Sequence, residues 1–469
     1  MRSSYIKRID EQDKSDNAKN QPIDPARFIA QQNKHMSNYL EIAYAAASGK
    51  ICLFTGTGFS KAISENNAPT WQGLLENLCN LTANSNILKD SLFPSNQPPA
   101  VSLDEAAQII SIELARVDKN IHEETAKLIG AVDLSGDNTP IQSFLSNNPV
   151  KVITTNYDKL LEKLAGNANC QSIAPGLPIP RSQSRVKVYH VHGSIDSPEN
   201  MVITSDDYFK FINAESYFSR KLSTILHENT VVILGYSLGD TNLKAILSDY
   251  KGFSKSHFIG SNIFFISRHP VSQHIKDYYS HCYGIRVIDS TEVAHFFTMV
   301  NIEMPNAATK VAGSIDNIRR VIFEGRQFTD AYLKIESSFY EIVASLAAIG
   351  VSIRHPRVVA TIGHIVDKKM AFTRESGAWV QYEHLARWLT YLTSILDIPG
   401  TPIQDQVLTA TLHSMQTMSR KLLLGYSWKA FEIWQNRWAG ITSNNRQAIK
   451  AFIEQRTADP DALSVVQTL

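Results

Sequence analysis

The chain has 469 residues, 43% hydrophobic and 19% charged, with 46 basic against 45 acidic side chains and a formal net charge of +1. That length predicts two or three domains, and the composition describes a folded globular protein rather than a disordered one. So even a charge balance gives no electrostatic reason to expect nucleic acid or an anionic membrane as the main ligand.

The four cysteines, Cys52, Cys79, Cys170 and Cys282, are widely separated and form no C-x-x-C pair, so reduced thiols and no zinc are expected. Met1 to Lys34 is polar with no apolar core of the secretory kind, and no stretch reaches the roughly 18 to 20 apolar residues that span a bilayer. A cytoplasmic location is expected on these grounds.

In chain order, residues 1–35 are rich in Asp, Lys, Asn, Gln and Ser and read as a flexible arm. A short helix is predicted over Met36–Ala47, then a strand over Lys50–Thr55 that ends in Gly56 and Gly58. Helical patterns fill about 72–147, interrupted by a proline-rich break at Pro94–Pro99. Short β-branched runs follow at Val150–Thr155, Val186–Val191, Thr230–Leu234, Asn262–Ile266 and Ile285–Ile288. Continuously apolar strands alternating with helices predict an α/β fold, a Rossmann-like parallel sheet covered on both faces, with ligands at the carboxyl ends of its strands. Beyond residue 300 the pattern is one of successive amphipathic helices, so a catalytic domain over 36–300 and an all-α C-terminal domain over 301–469 are expected. Trp379, Trp388, Trp428, Trp434 and Trp438 in that second part read as exposed.

Four motifs sit at predicted strand ends. Gly56-Thr57-Gly58-Phe59-Ser60 would let backbone amides approach a diphosphate at a helix start, although a plain strand–helix turn fits the same residues. In Thr154-Thr155-Asn156-Tyr157-Asp158, continued strand geometry would turn Asn156 and Asp158 to one side. There they could orient water or ribose hydroxyls, or simply cap the following helix. Tyr189-His190-Val191-His192-Gly193 supplies His192 as a general base at a strand end, with a structural histidine as the alternative. A third ligand for an H-x-H metal pair is not evident, so no metal site is expected. Gly235-Tyr236-Ser237-Leu238-Gly239-Asp240 permits close backbone contact with a nucleotide or forms an ordinary turn.

Taken in order, Gly-x-Gly-x-Ser, Thr-x-Asn-x-Asp, His-Gly and Gly-x-Ser resemble the sirtuin NAD-binding fold over about residues 45–290. Pro69-Thr70-Trp71 with Leu74, and Val202 to Tyr208, look like the corresponding loops of bacterial sirtuin-like proteins. Tyr157 and the Gly-Tyr-Ser form are similar to the antiphage defence branch rather than to the deacylases. The resemblance implies a sheet of sirtuin type with NAD as substrate. Gly56, Thr57, Gly58, Phe59 and Ser60 would then hold the diphosphate and adjacent ribose, with Thr155 replacing the usual glutamine at a ribose contact. Asn156 would position the attacking water, Asp158 would receive the nicotinamide carboxamide and His192 would act as base. Gly235, Ser237 and Asp240 would line the adenosine end.

Because the four-cysteine zinc module of the deacylases is missing, the resemblance implies NAD glycohydrolase activity, with water as acceptor and NAD depletion in abortive infection as the setting. It also implies a homo-oligomer, with a separately encoded HerA-type ATPase as a candidate partner. The alternatives are a module that binds NAD or ADP-ribose to control assembly, and an NAD-dependent protein deacylase.

Overall fold

A computed structural model describes residues 38–95, 101–179, 183–213, 217–236, 247, 262–421 and 423–468. The chain divides into two units, Met1–Asn38 and Tyr39–Leu469. Of the first only Asn38 is described, so the expected arm at 1–35 lies outside the described residues, as do Ser237 and Asp240.

The second unit is built on strands β1 (Ile51–Thr55), β2 (Val150–Thr154), β3 (Cys170–Ile173), β4 (Val186–His190), β5 (Thr230–Leu234), β6 (Ile263–Ile266) and β7 (Ile285–Ile288). All pair in parallel, in the order β3-β4-β2-β1-β5-β6-β7. The chain works outward from β1 to one edge, then resumes at β5 on the other side of β1. The loops after β1 and β5 therefore part at a topological switch point. Six strands coincide with the predicted apolar runs, and β3 is an additional edge strand. Its sequence, Cys-Gln-Ser-Ile, is too short and too polar to stand out from a loop.

Side-chain alternation explains the strands' apolar character. Ile51, Leu53, Val232 and Leu234 enter one core with Phe59, Phe144 and Phe297. Their neighbours Cys52, Phe54, Val231 and Ile233 enter the opposite core with Ile225, Leu226 and Tyr283. A strand buried on both faces has no polar side to show.

Five helices form the insert between β1 and β2: Trp71–Cys79, Ser85–Leu92, Leu103–Ala115, Ile121–Gly130 and Thr139–Asn147. Thr70 accepts from the Gly73 amide, Ser102 and Glu105 form a capping box, and Asn120 accepts from the amides of His122 and Glu123. Leu75, Leu78, Ala107, Ile110 and Leu114 make a separate core that also takes in Tyr157, Met201 and Ile203 from the sheet's loops. That core seats the insert over the carboxyl ends of the strands.

After β7 every regular element among the described residues is helical, beginning with Val293–Glu324. Phe296, Phe297 and Val300 of this helix belong to a core of the sheet, whereas Ile318, Val321 and Ile322 belong to the core of the helical part. Position 300/301 thus falls inside one helix. Glu41, Arg286 of β7 and Tyr391 join the two parts through a buried ion pair and hydrogen bond. Of the tryptophans read as exposed, Trp388, Trp434 and Trp438 are buried and Trp428 is partly so, while Trp379 is 61% exposed. Helical periodicity alone did not reveal which face the neighbouring helices cover. Among the described residues no helix is long and apolar enough to cross a membrane.

Candidate functional site

A cavity of about 750 Å³ opens at the carboxyl ends of β1, β2, β4 and β5 and is roofed by the insert. Its volume lies in the range of ligand pockets, roughly 300–1,000 Å³. Thr57, Gly58, Ser60, Thr155, Asn156, Asp158, His192 and Gly235 all border it. Four separate motifs, spread over some 180 residues, are therefore brought to one place.

The glycine turn after β1 rests directly on the turn after β5. Gly58 N donates to Gly235 O at 2.8 Å and Gly56 N to Leu234 O at 3.1 Å. A Cβ at Gly58 would stand 2.8 Å from Gly235 O, and one at Gly235 would stand 1.9 Å from Phe59 N. Gly235 also has φ +60, a region that side chains other than glycine's rarely adopt. Glycine here is a condition of two backbones touching. The Phe59 side chain, by contrast, is in the sheet's core rather than on the cavity wall, and Gly56 is buried beside Tyr236.

Ser60, on the Thr57–Ile63 helix, ties the first motif to the second. Asn156 Nδ2 donates to Ser60 Oγ at 2.8 Å, and Ser60 Oγ donates to Asp158 Oδ2 at 2.7 Å. Asp158 Oδ1 accepts from the amide of Leu160, which opens the next helix, so the carboxylate also serves as a helix-start acceptor. Thr154 Oγ1 accepts from the Asn156 amide and donates to Thr55 O, holding the loop's root to β1. Desolvation raises the Asp158 carboxyl above its ordinary 3.8, against the lowering effect of the Ser60 and Leu160 hydrogen bonds and of His190.

His192 is buried at the cavity wall, with its ring edge-on to Tyr208 at 5.4 Å and to Phe211 at 5.2 Å. Gly193, at φ +90, allows the turn that follows; a Cβ there would meet Asn200 O at 2.7 Å. The two histidines of the H-x-H run do not share a side: His190 points away from the cavity to Glu162. No group of three or more His, Cys, Asp or Glu among the described residues could hold a metal ion.

Pro69, Thr70, Trp71, Leu74 and Tyr208, singled out only as family features, border the cavity, but sequence reasoning missed the rest of the insert's contribution. Leu103, Asp104, Ile129 and Val132 line the cavity, together with Tyr208 and Phe209 from the Ser205–Asn213 helix. That helix is fastened to the insert by His122 and Asp207 at 3.0 Å and by Ser205 and Asp104 at 3.2 Å. Tyr157 was singled out only as a family feature. Its ring fills the insert's core, and its hydroxyl donates to Val202 O at 2.5 Å.

Residues 150–288 match the SIR2-like domain family. The span includes Asn156, Asp158, His192 and Gly235 but begins after the Gly56–Ser60 turn, which the sheet order restores to the site. The chain is 25% identical over 271 residues to "Defense-associated sirtuin 2" of Bacillus subtilis, covering 57% of this chain and 26% of that protein. It is 29% identical over 167 residues to "NAD(+) hydrolase ThsA" of Acinetobacter baumannii, covering 34% and 35% of the two chains. It is also 29% identical over 205 residues to "NAD(+) hydrolase ThsA" of Enterococcus faecium, covering 41% and 42%. The chain thus spans between about a quarter and two fifths of the length of these relatives. The stretch that matches the SIR2-like domain family lies on a Rossmann-like parallel sheet.

Proposed function

We propose that the cavity binds NAD and hydrolyses its nicotinamide–ribose bond to nicotinamide and ADP-ribose. The observation that carries this reading is the Asn156–Ser60–Asp158 array at the switch point of the sheet, with His192 on the same cavity wall. The glycine turns after β1 and β5 present little side-chain bulk where a diphosphate would lie. Positively charged nicotinamide is already a good leaving group, so the site needs orientation and electrostatic stabilisation of a ribosyl cation more than a strong acid. With Nδ2 engaged on Ser60, the Asn156 side chain presents Oδ1 to hold a water at the anomeric carbon. His192 accepts the water's proton as the new C–O bond forms, and the Asp158 carboxylate accepts from the carboxamide. Relatives named as NAD(+) hydrolases and as a defence-associated sirtuin support both the chemistry and a role in antiphage defence through NAD depletion.

The helices from 301 onward are proposed as the assembly or sensing part, serving a homo-oligomer and a HerA-type ATPase as partner. The test is to incubate the full chain with NAD, alone and with such a partner, and to quantify nicotinamide and ADP-ribose by mass spectrometry. Product from the wild type and far slower release from Asn156→Ala and His192→Ala is expected. Equal product from all three would overturn the site. Binding of NAD without product under either condition would leave the chain a binding module.

A further inference from the structure

A buried ionic cluster lies behind the cavity wall, and the hydrolysis scheme makes no use of it. His190, at the end of β4, is fully buried. Its Nδ1 is 3.0 Å from the main-chain oxygen of Asn156 and its Nε2 is 2.8 Å from Glu162 Oε1. Both neighbours are acceptors. A peptide carbonyl has no proton to give, and Glu162 Oε1 also lies 2.8 Å from Lys159 Nζ. Burial opposes the charge on Glu162, yet His190 and Lys159 together hold its carboxyl down at about 2.

A neutral imidazole carries one N–H and would set a lone pair against oxygen at the other contact. Exchanging the tautomer moves that mismatch from one side to the other without removing it. Flipping the ring replaces both nitrogens by carbons. Both ring contacts are hydrogen bonds only when both nitrogens carry a proton, while Glu162 Oε2 is buried without a hydrogen-bond partner among the described residues.

We infer that His190 acts as a doubly protonated ring, clamped by Glu162, and is the positioning residue that fixes the Asn156 main chain while Ser60 fixes its side chain. The role rests on the reading of this cavity as an NAD-hydrolysing site. Asn156 is then held from two directions, its carbonyl from behind the wall and its amide from the glycine-turn helix. Among the described residues, the charged and titratable groups facing the cluster are Asp158, Lys159 and Glu162 from the segment after β2, Cys170 from β3 and Asp196 from the loop after β4. Lys159 pairs with Asp196 at 2.8 Å and donates to Ser172 Oγ at 2.6 Å. Burial, with the nearby Glu162 charge, pushes the Cys170 thiol up to about 12, so it stays a neutral neighbour.

The mechanism makes a separable prediction. In a ring that carries a single proton, that proton stays with the charged Glu162, and the Asn156 carbonyl loses its donor. Turnover then falls while NAD affinity, set largely by the two glycine turns, is kept.

The direct measurement is the nitrogen chemical shifts of His190 in the full chain, labelled in histidine rings and assigned by comparison with His190→Asn. Two protonated nitrogens at pH 7 are expected. One unprotonated nitrogen at pH 7 would overturn the inference, whatever the chain's activity. The companion measurement is the pH profile of NAD hydrolysis for wild type and Glu162→Gln, which keeps the shape and removes the charge. Removing an opposite charge at this range should move the alkaline limb of kcat to lower pH. KM should change by less than about threefold, because the glycine turns are untouched. A limb that stays in place, or an effect confined to KM, would overturn the positioning role. No nicotinamide release from the wild type, with or without a partner protein, would overturn the hydrolysis reading instead; the ring's protonation is read separately.

Discussion

Replacing Ser60 by alanine removes one hydroxyl and two hydrogen bonds, the one accepted from Asn156 Nδ2 at 2.8 Å and the one donated to Asp158 Oδ2 at 2.7 Å. Between neutral groups such a bond contributes about 0.5–1.5 kcal/mol net, and to a charged group about 1.5–3 kcal/mol. Asn156 and Asp158 both border the cavity, where water can replace the lost partner. Folding stability is therefore expected to fall by only about 1–2 kcal/mol. Catalysis should suffer more, because the Asn156 amide is no longer held in a single orientation. A loss of about 1.5–3 kcal/mol in transition-state stabilisation corresponds to roughly 10- to 150-fold in kcat, at 1.36 kcal/mol per factor of ten. The assay is nicotinamide release at saturating NAD, with KM measured alongside and thermal unfolding as the control for folding. If Ser60 works through Asn156, the double variant Ser60→Ala/Asn156→Ala should be no slower than Asn156→Ala alone. Wild-type kcat in Ser60→Ala, or two single effects that multiply in the double variant, would refute the reasoning.

Two further perturbations test other parts of the site. Gly235→Ala would bring a Cβ to 1.9 Å from Phe59 N at a residue with φ +60, and the obstructing atoms are backbone. The left-handed conformation costs about 1–2 kcal/mol and loss of the Gly58–Gly235 hydrogen bond about 1 kcal/mol more, so chemical denaturation should register a loss of about 2–3 kcal/mol. Gly313→Ala, in open space on a helix, should instead stabilise by about 0.5–1 kcal/mol; equal effects of the two would contradict the close-contact argument. Burial raises the Asp158 carboxyl, so it takes up its proton at a higher pH than an ordinary aspartate's 3.8. As pH falls the functional carboxylate is lost early, and its contribution to the acid limb of kcat is expected above that ordinary value. The Ser60 hydrogen bond lowers the same group, so Ser60→Ala should push the limb higher still. A wild-type limb at or below 3.8, or one unmoved in Ser60→Ala, would refute this.

The local elements were legible in the sequence because their causes are local. Continuous apolar runs such as Thr230-Val-Val-Ile-Leu mark strands buried on both faces, and the glycines after them mark tight turns. Each site motif lies directly after such a run, so the strand ends could be named before the strands were assembled. Strand order was not legible: β1 lies between β2 and β5, from which it is separated by long stretches of chain. Only that order brings Gly58 onto Gly235, and Ser60 onto residues 96 and 98 positions away. The insert's core could not be read either, since Tyr157 fills it from outside the insert. His190 and His192 alternate in the sequence, and only His192, at the predicted strand end, was read as a general base. The packing around the end of β4 separated them, giving His192 to the cavity and His190 to Glu162 and the Asn156 carbonyl. Periodicity and turn chemistry act over a few residues and are written in the sequence. Contacts between segments a hundred residues apart depend on which surfaces cover one another, and the tertiary structure alone decides that.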